Sequence, residues 1–330
     1  MATIRDVSKL AGVSTTTVSR YLNQNSYVGK KTSEKIQNAI DELNYSPSAV
    51  ARSLSTSSSN LIGLLFPNLS NPYFPQLIDG IEGELKRRGY TVLLGRLDNK
   101  DEFPSYLRTF ENNNIAGIIS SAGIIPAQKV SVPIVEVDRI SQNSKYFVTT
   151  NDFLGGSLIG DNVARTVGTT NIAIIKGPNT SRKSIDRFEG LCSVLLKYPA
   201  LKITEIASNT FDIKLVDSVI KQIFDLDPFP DTIIAQNDLY AIVILQELLK
   251  RGIKVPEQTQ VIGYDGINFL DLIYPRIATV EQPIYELGSE TANLMVQIIE
   301  NSNLKETQIQ LDVKFSAGAT LRPTRKEIYH

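Results

Sequence analysis

The sequence predicts a small all-α head followed by an α/β body of two doubly wound parallel-sheet lobes. Three observations carry that expectation. Residues 4–45 place apolar side chains at helical spacing and show no alternating run. A tract of small polar residues, Ser55-Thr56-Ser57-Ser58-Ser59-Asn60, then breaks the chain as a linker does. From Leu61 onward, short apolar runs alternate with amphipathic stretches, the pattern of parallel sheets covered by helices.

In the head, Ile4, Val7, Leu10 and Ala11 share one helical face, and Gly12 ends that helix. Ser14 can cap the next helix, in which Val18, Tyr21 and Leu22 share a face. The third carries Ile36, Ala39, Ile40 and Leu43 at helical spacing before Pro47 stops regular structure. Ser48–Leu54 has the length of a two-turn helix, too short to stand alone in water.

In the body, the strand candidates are Leu61–Phe66, Thr91–Leu97, Gly117–Ser121, Ile134–Asp138, Ile172–Lys176, Ile203–Ala207, Thr232–Ala235, Gln260–Tyr264 and Ala278–Glu281. Helical stretches between them include Phe74–Arg88, Leu154–Val167, Ser184–Leu196, Leu215–Phe224, Leu239–Arg251 and Tyr285–Glu300. These strands fit one large sheet or two smaller ones. Two lobes are expected, because such sheets bind ligands at the carboxyl ends of their strands and two facing lobes form a cleft there.

Composition narrows the function. The single cysteine, Cys192, cannot form an intrachain disulfide, and the single histidine, His330, excludes a two-histidine metal site and an internal histidine base. The start of the chain lacks signal-peptide character, and no apolar run is long enough to span a bilayer. A cytoplasmic protein with no membrane partner is therefore expected. No nucleophile elbow, Walker loop or GxGxxG fingerprint is present. Asp238 and Asp265 could in principle pair as acid and base, and hydroxyl binding is their simpler use. No enzyme, cofactor or metal is expected. The net charge of −1 conceals a head of +3 over residues 1–58 and a body of −4, the footprint of a DNA-binding module on an acidic partner domain.

Ile4–Asn23 has the proportions of a helix-turn-helix, with a tight turn at Gly12-Val13. That geometry puts Thr15, Thr16 and, one turn on, Arg20 at base edges; threonine touches thymine methyls and arginine takes guanine bidentately. Ser14, Thr17 and Ser19 are candidates for phosphate contacts. The plainer alternative is a polar N-cap on a surface helix.

The strings Ile4-Arg5-Asp6-Val7, Ala11-Gly12-Val13-Ser14, Thr17-Val18-Ser19-Arg20, Leu43-Asn44-Tyr45-Ser46-Pro47 and Val50-Ala51-Arg52-Ser53-Leu54 resemble the lactose-repressor (LacI/GalR) family of bacterial regulators. The resemblance implies a repressor that binds pseudo-palindromic double-stranded operator DNA as a homodimer. It makes the segment from Ser48 to Leu54 a hinge helix formed over DNA, with Ser48 in the interface and Leu54 levered into the minor groove. An apolar wedge there kinks the duplex. The organisation implied is a helix-turn-helix domain over 1–46, hinge and linker over 47–60, an effector-binding and dimerisation domain over 61–323, and a tail over 324–330. Its N-lobe spans about 61–152 and 281–308, its C-lobe about 153–280 and 309–323.

The resemblance continues through Leu61-Ile62-Gly63-Leu64, Asn71-Pro72-Tyr73-Phe74, Gly117-Ile118-Ile119, Asp186-Arg187-Phe188-Glu189-Gly190, Asn237-Asp238, Gly263-Tyr264-Asp265 and Val280-Glu281-Gln282-Pro283. It implies a body like the periplasmic sugar-binding proteins, with a small saccharide between the lobes. Arg187 matches a family arginine that binds effector hydroxyls or carboxylates. Asp265, Asn237 and Asp138 follow strands and can bind hydroxyl pairs. Asn71, Tyr73 and Phe74 follow the first body strand, Phe211 matches an aromatic wall, and Gln282 lies at a crossover. Plainer readings make Asp265 a turn cap beside Gly266, Arg187 a surface ion pair, and Tyr73 and Phe74 core residues. Many members carry a second acidic or amide residue where Gly266 stands here, which narrows the polar contacts. The strings Ser14–Asn23 and Phe66–Phe74 are similar to sucrose-operon repressors of Gram-positive bacteria. A nucleobase, a nucleoside or a phosphorylated carrier protein is the alternative effector, and a soluble sugar-binding or sugar-processing protein the remote one.

Overall fold

The computed structural model describes residues 2–23, 27–45, 59–67, 69–97, 99–124, 130–301 and 304–324. Ser48, Leu54 and the segment between them lie outside the described residues, and so does nearly all of the expected tail. The chain divides into two compact units, residues 1–60 with 112–115 and residues 61–111 with 116–330.

The head contains α1 (Ile4–Ala11), α2 (Thr15–Asn23) and α3 (Lys30–Glu42). Thr3 and Asp6 form a capping box that starts α1, and Gly12, at φ 66°, ends it. Val7, Ala11, Val18, Ile36 and Ala39 form the core, with Tyr21, Leu22, Ile40 and Leu43 packed around them. Leu10 departs from the expected face and is 46% exposed, because the line through Val7 and Ala11 is the one in the core and Leu10 lies at its rim.

The body begins with β1 (Leu61–Phe66), α4 (Tyr73–Arg87), β2 (Thr91–Arg96), α5 (Phe103–Asn112), β3 (Gly117–Ser120), β4 (Ile134–Val137) and β5 (Tyr146–Thr150). It continues with α6 (Asp152–Arg165), β6 (Asn171–Lys176), α7 (Arg182–Leu195), β7 (Lys202–Ala207), α8 (Val216–Phe224), β8 (Thr232–Ile234), α9 (Asp238–Lys250), β9 (Gln260–Asp265) and β10 (Ala278–Glu281). It ends with α10 (Ile284–Glu300), β11 (Thr307–Leu311) and β12 (Lys314–Ser316). The N-lobe sheet runs β11-β5-β4-β3-β1-β2 and the C-lobe sheet β12-β10-β9-β8-β6-β7. Every recorded pair is parallel except β10 with β12.

The two orders are the same order, so each lobe repeats the other's topology. Strand order reverses beside β1 in one lobe and beside β6 in the other. Such switch points open a crevice at the carboxyl ends of the strands. The chain crosses between lobes at Thr150–Asp152, Glu281–Ile284 and Leu311–Lys314. The third crossing was expected near 308–309. It falls later because β11 keeps its parallel ladder with β5 through Leu311↔Thr150. In the C-lobe, Gly156 and Gly190 let α6 and α7 touch backbone to backbone: a Cβ on Gly156 would meet the Arg187 carbonyl, and one on Gly190 the Phe153 carbonyl. That contact seats the helix that carries Arg187.

Candidate functional site

In the head, Thr15, Thr16 and Arg20 are exposed, and Thr16 and Arg20 lie one turn apart on α2. The Ser14 hydroxyl accepts the Thr17 N–H at 3.1 Å and shares a 2.9 Å hydrogen bond with the Thr17 hydroxyl. Ser14 is thus the N-cap of α2, with Thr17 bonded to it, and Ser19 is half-buried. The cap and the DNA reading are compatible, because the cap fixes the end of the helix that presents Thr15 and Thr16.

In the body, Asn71, Tyr73, Phe74, Asp138, Arg187, Phe211, Asn237 and Asp265 line one cleft of about 400 Å³, counted with its open mouth. Gln282 stands behind that wall: its amide donates to Asp265 at 2.7 Å, and its carbonyl oxygen accepts from Thr150 at 2.8 Å. All nine residues expected from the sequence therefore meet.

Asp138 follows β4 and Asp265 ends β9, equivalent strands of the two lobes. Both adopt positive φ, 66° and 121°, where a side chain with a Cβ is strained. The expected turn-cap role of Asp265 is filled instead by Asp238, buried at the start of α9. Its Oδ2 accepts the N–H groups of Gly266 at 2.7 Å and Ile267 at 2.9 Å, and its Oδ1 accepts the Thr279 hydroxyl at 2.6 Å. Asp238 thereby pins the turn that presents Asp265.

Asn71, Asn237, Asp138 and Arg187 each keep one group occupied by the protein. Asn71 Oδ1 accepts the Tyr73 N–H at 3.0 Å, and Asn237 Oδ1 caps α9 at the Tyr240 N–H, also at 3.0 Å. Asp138 Oδ1 accepts the Tyr73 hydroxyl at 2.8 Å and the Lys183 ammonium. Arg187 donates through Nε to Asp152 at 2.7 Å and through Nη1 to the Gln236 carbonyl at 3.2 Å, and stacks on Tyr264 at 3.5 Å. It is a buried ion pair and not a surface one. Among the described residues, no hydrogen bond is recorded to Asn71 Nδ2, Asn237 Nδ2, Asp138 Oδ2 or Asp265 Oδ2. Held on one side and open on the other, these groups can donate and accept hydrogen bonds without first rearranging.

Tyr73 and Phe74 serve both readings, since each is packed in the core and forms part of the cleft wall. Phe74 and Phe211 both lie beside the Arg139 guanidinium, at 5.4 and 5.5 Å from their ring centres.

Burial drives Asp265 upward; Arg187 opposes the shift and the Asp138 charge adds to it, so its carboxyl reaches about 7. Burial acts on Asp138 too, but Lys183 and Arg139 outweigh it and hold that carboxyl below the usual range. Burial and the charge of Asp265 push Asp238 well above it.

Sequence reasoning missed Lys183, Arg139, Ser181 and the buried Asp152. Two signals were present: Lys183 lies four residues before Arg187 on one face of α7, and Arg139 directly follows Asp138. Among the described residues no group of side chains is arranged to hold a metal ion, and no helix is long and apolar enough to cross a membrane.

Residues 3–48 match the family model for bacterial regulatory proteins of the lacI family, and residues 59–318 that for periplasmic binding proteins and the sugar-binding domain of the LacI family. The "Ribose operon repressor" of Bacillus subtilis (strain 168) is 40% identical, over 99% of this chain and 100% of the relative. The "Sucrose operon repressor" of Streptococcus mutans is 33% identical, over 94% and 96%. A lac repressor dimer bound to operator and the anti-inducer ONPF shares the fold with a TM-score of 0.86 at 23% identity, over 98% of this chain and 99% of that one. A LacI family regulator from Enterococcus faecium with bound ribose superposes with a TM-score of 0.72 at 26% identity, over 80% of this chain and 100% of that one. With one family model on its head, another on its body and 40% identity along a full-length relative, the chain belongs to the LacI family of bacterial regulatory proteins.

Proposed function

We propose that the chain is a homodimeric cytoplasmic repressor whose cleft takes a single-ring neutral sugar of pentose size, and that this sugar loosens its hold on operator DNA. As a LacI family member it is a sugar-controlled DNA-binding repressor and not an enzyme. The observation that carries the finer reading is the pair Asp138 and Asp265, one from each lobe, each with one oxygen engaged and one open. Paired carboxylates facing amide and guanidinium donors bind vicinal hydroxyls, and flanking aromatic rings cover a sugar face. The ribose named for the Bacillus relative and found in the Enterococcus protein has the same chemistry.

The sucrose expectation remains as the second reading, supported by the Streptococcus relative. No feature of the cleft supports the phosphocarrier alternative. On the DNA side, Thr15, Thr16 and Arg20 read bases, Ser14, Thr17 and Ser19 approach phosphates, and Ser48 and Leu54 supply the hinge. The test is thermal unfolding of the full chain with D-ribose, sucrose and hypoxanthine. D-Ribose is expected to raise the melting temperature; free sugar at a hundred times Kd adds about 2.7 kcal/mol. A shift with sucrose or hypoxanthine and none with D-ribose overturns the pentose reading.

A further inference from the structure

Lys183 is unlike its neighbours in the cleft wall, because all its recorded partners belong to other parts of the body. Its side chain, 11% exposed, starts on α7 of the C-lobe. The ammonium binds Asp138 of the N-lobe and lies 3.2 Å from the Thr150 hydroxyl and 3.4 Å from Asp152 Oδ2, at the two ends of the first crossover. It lies 3.3 Å from Gln282 Oε1, on the second. An ammonium has three protons to donate, and these four acceptors exhaust them. Lys183 therefore has no donor left for a guest. What it does is join one lobe to the other at the point where the chain passes between them.

We propose that Lys183 is a positioning residue for effector binding, a cross-lobe counter-ion that seats Asp138 and both crossovers in the sugar-ready arrangement. It occupies Asp138 Oδ1 and leaves Oδ2 for the guest, and among the described residues it is the cation paired with both Asp138 and Asp152. The cleft thus carries part of its closing contact within the protein, and the sugar adds to it. Removing a partner from a buried pair strands the remaining charge, so the arrangement relaxes when Lys183 is neutralised. The role in sugar binding rests on the reading of the cleft given above; the role between the lobes does not.

The test uses the full chain without sugar, as wild type, Lys183→Met, Asp138→Asn and the double variant, followed by hydrogen exchange. The reporters are the amides of Asp138, Asn151 and Gln282, bonded to Val148, Leu311 and Asp265 carbonyls respectively. Each single variant should speed exchange at these amides by about tenfold or more, leave α1 and α3 unchanged, and the double should add little to either. Unchanged exchange in both single variants, or full additivity in the double, overturns the proposal. Asp138→Asn supplies the same readout should Lys183→Met fail to fold. In a second arm, Lys183→Met should weaken D-ribose binding about tenfold or more in the wild-type background and less than about threefold beside Asp138→Asn. Absence of D-ribose binding to the wild type refutes the pentose reading alone, and the exchange result then decides the role of Lys183.

Discussion

Asp238 gives the sharpest separation between the shape of a side chain and its charge. It is fully buried and satisfies two backbone N–H groups, those of Gly266 and Ile267, together with the Thr279 hydroxyl. Asp238→Ala leaves both N–H groups buried without an acceptor, at about 1–3 kcal/mol each, or roughly 2–6 kcal/mol in all. The hydroxyl adds little, because it can turn to the Val280 carbonyl at 3.4 Å. Asp238→Asn keeps an oxygen for the two N–H groups and offers its amide to Thr279, so it should cost less than about 1 kcal/mol. Burial already disfavours the charged form of Asp238, so the amide loses little electrostatically. Urea unfolding followed by circular dichroism measures both variants. If alanine costs less than about 1 kcal/mol, or asparagine as much as alanine, the clamp on the Asp265 turn is refuted. The alanine variant should also bind sugar more weakly, since the turn that presents Asp265 at its strained φ then loses its clamp.

Arg20→Ala should cost about 1–3 kcal/mol on a matched operator and relax preference at particular base pairs, with random-sequence DNA little affected. Equal loss on both DNAs in a fluorescence-anisotropy titration removes Arg20 from base reading. The pH dependence has a defined sign. Because the folded-state pKa of Asp265 is raised to about 7, the folded protein binds more protons there than the unfolded chain. Its contribution to stability is greatest at low pH and falls as pH rises toward and through 7. Wild type minus Asp265→Asn in unfolding free energy should therefore decline from pH 5 to pH 8. Sugar affinity should move the other way, weakening below pH 7, because a guest that uses the carboxylate must first displace its proton; urea unfolding checks the first sign and calorimetric titration the second. Gly156→Ala should destabilise the body by about 1–3 kcal/mol or more and weaken sugar binding, because its methyl group displaces the Arg187 backbone. A variant that unfolds like wild type and binds sugar normally contradicts that packing.

Much of the fold was legible because buried strands such as Leu61–Phe66 and Ile172–Lys176 are almost wholly apolar and flank amphipathic helices. Three strands escaped notice where that signal fades, the first of them Tyr146–Thr150, only partly buried and ending in two threonines. Thr307–Leu311 is an edge strand, half-exposed, with Thr, Gln and Gln among its five residues. Lys314–Ser316 has three residues. α5 was also passed over, although Phe103, Leu107 and Phe110 mark one buried face. In the cleft, residues at strand ends were readable because topology alone sends them there. Asp152 was not, because it begins a helix, where an acidic residue is ordinarily explained by the helix end itself, and Lys183 was not, because nothing local to its first turn gives the cation a partner. Only the approach of the other lobe gives them partners.

The three crossovers are themselves laced together. Thr150 donates to Gln282 at 2.8 Å, and Asn151 donates its backbone N–H to the Leu311 carbonyl at 2.8 Å and its amide to Asp312 at 3.2 Å. A single linker lets two bodies swing, slide and twist, whereas three linkers side by side behave as a flexure, compliant about one axis and stiff about the rest. Whatever free energy a sugar spends on drawing Asp138 and Asp265 together is then not dispersed over many relative motions of the lobes. A flexure of that kind channels it into one rotation of one lobe against the other.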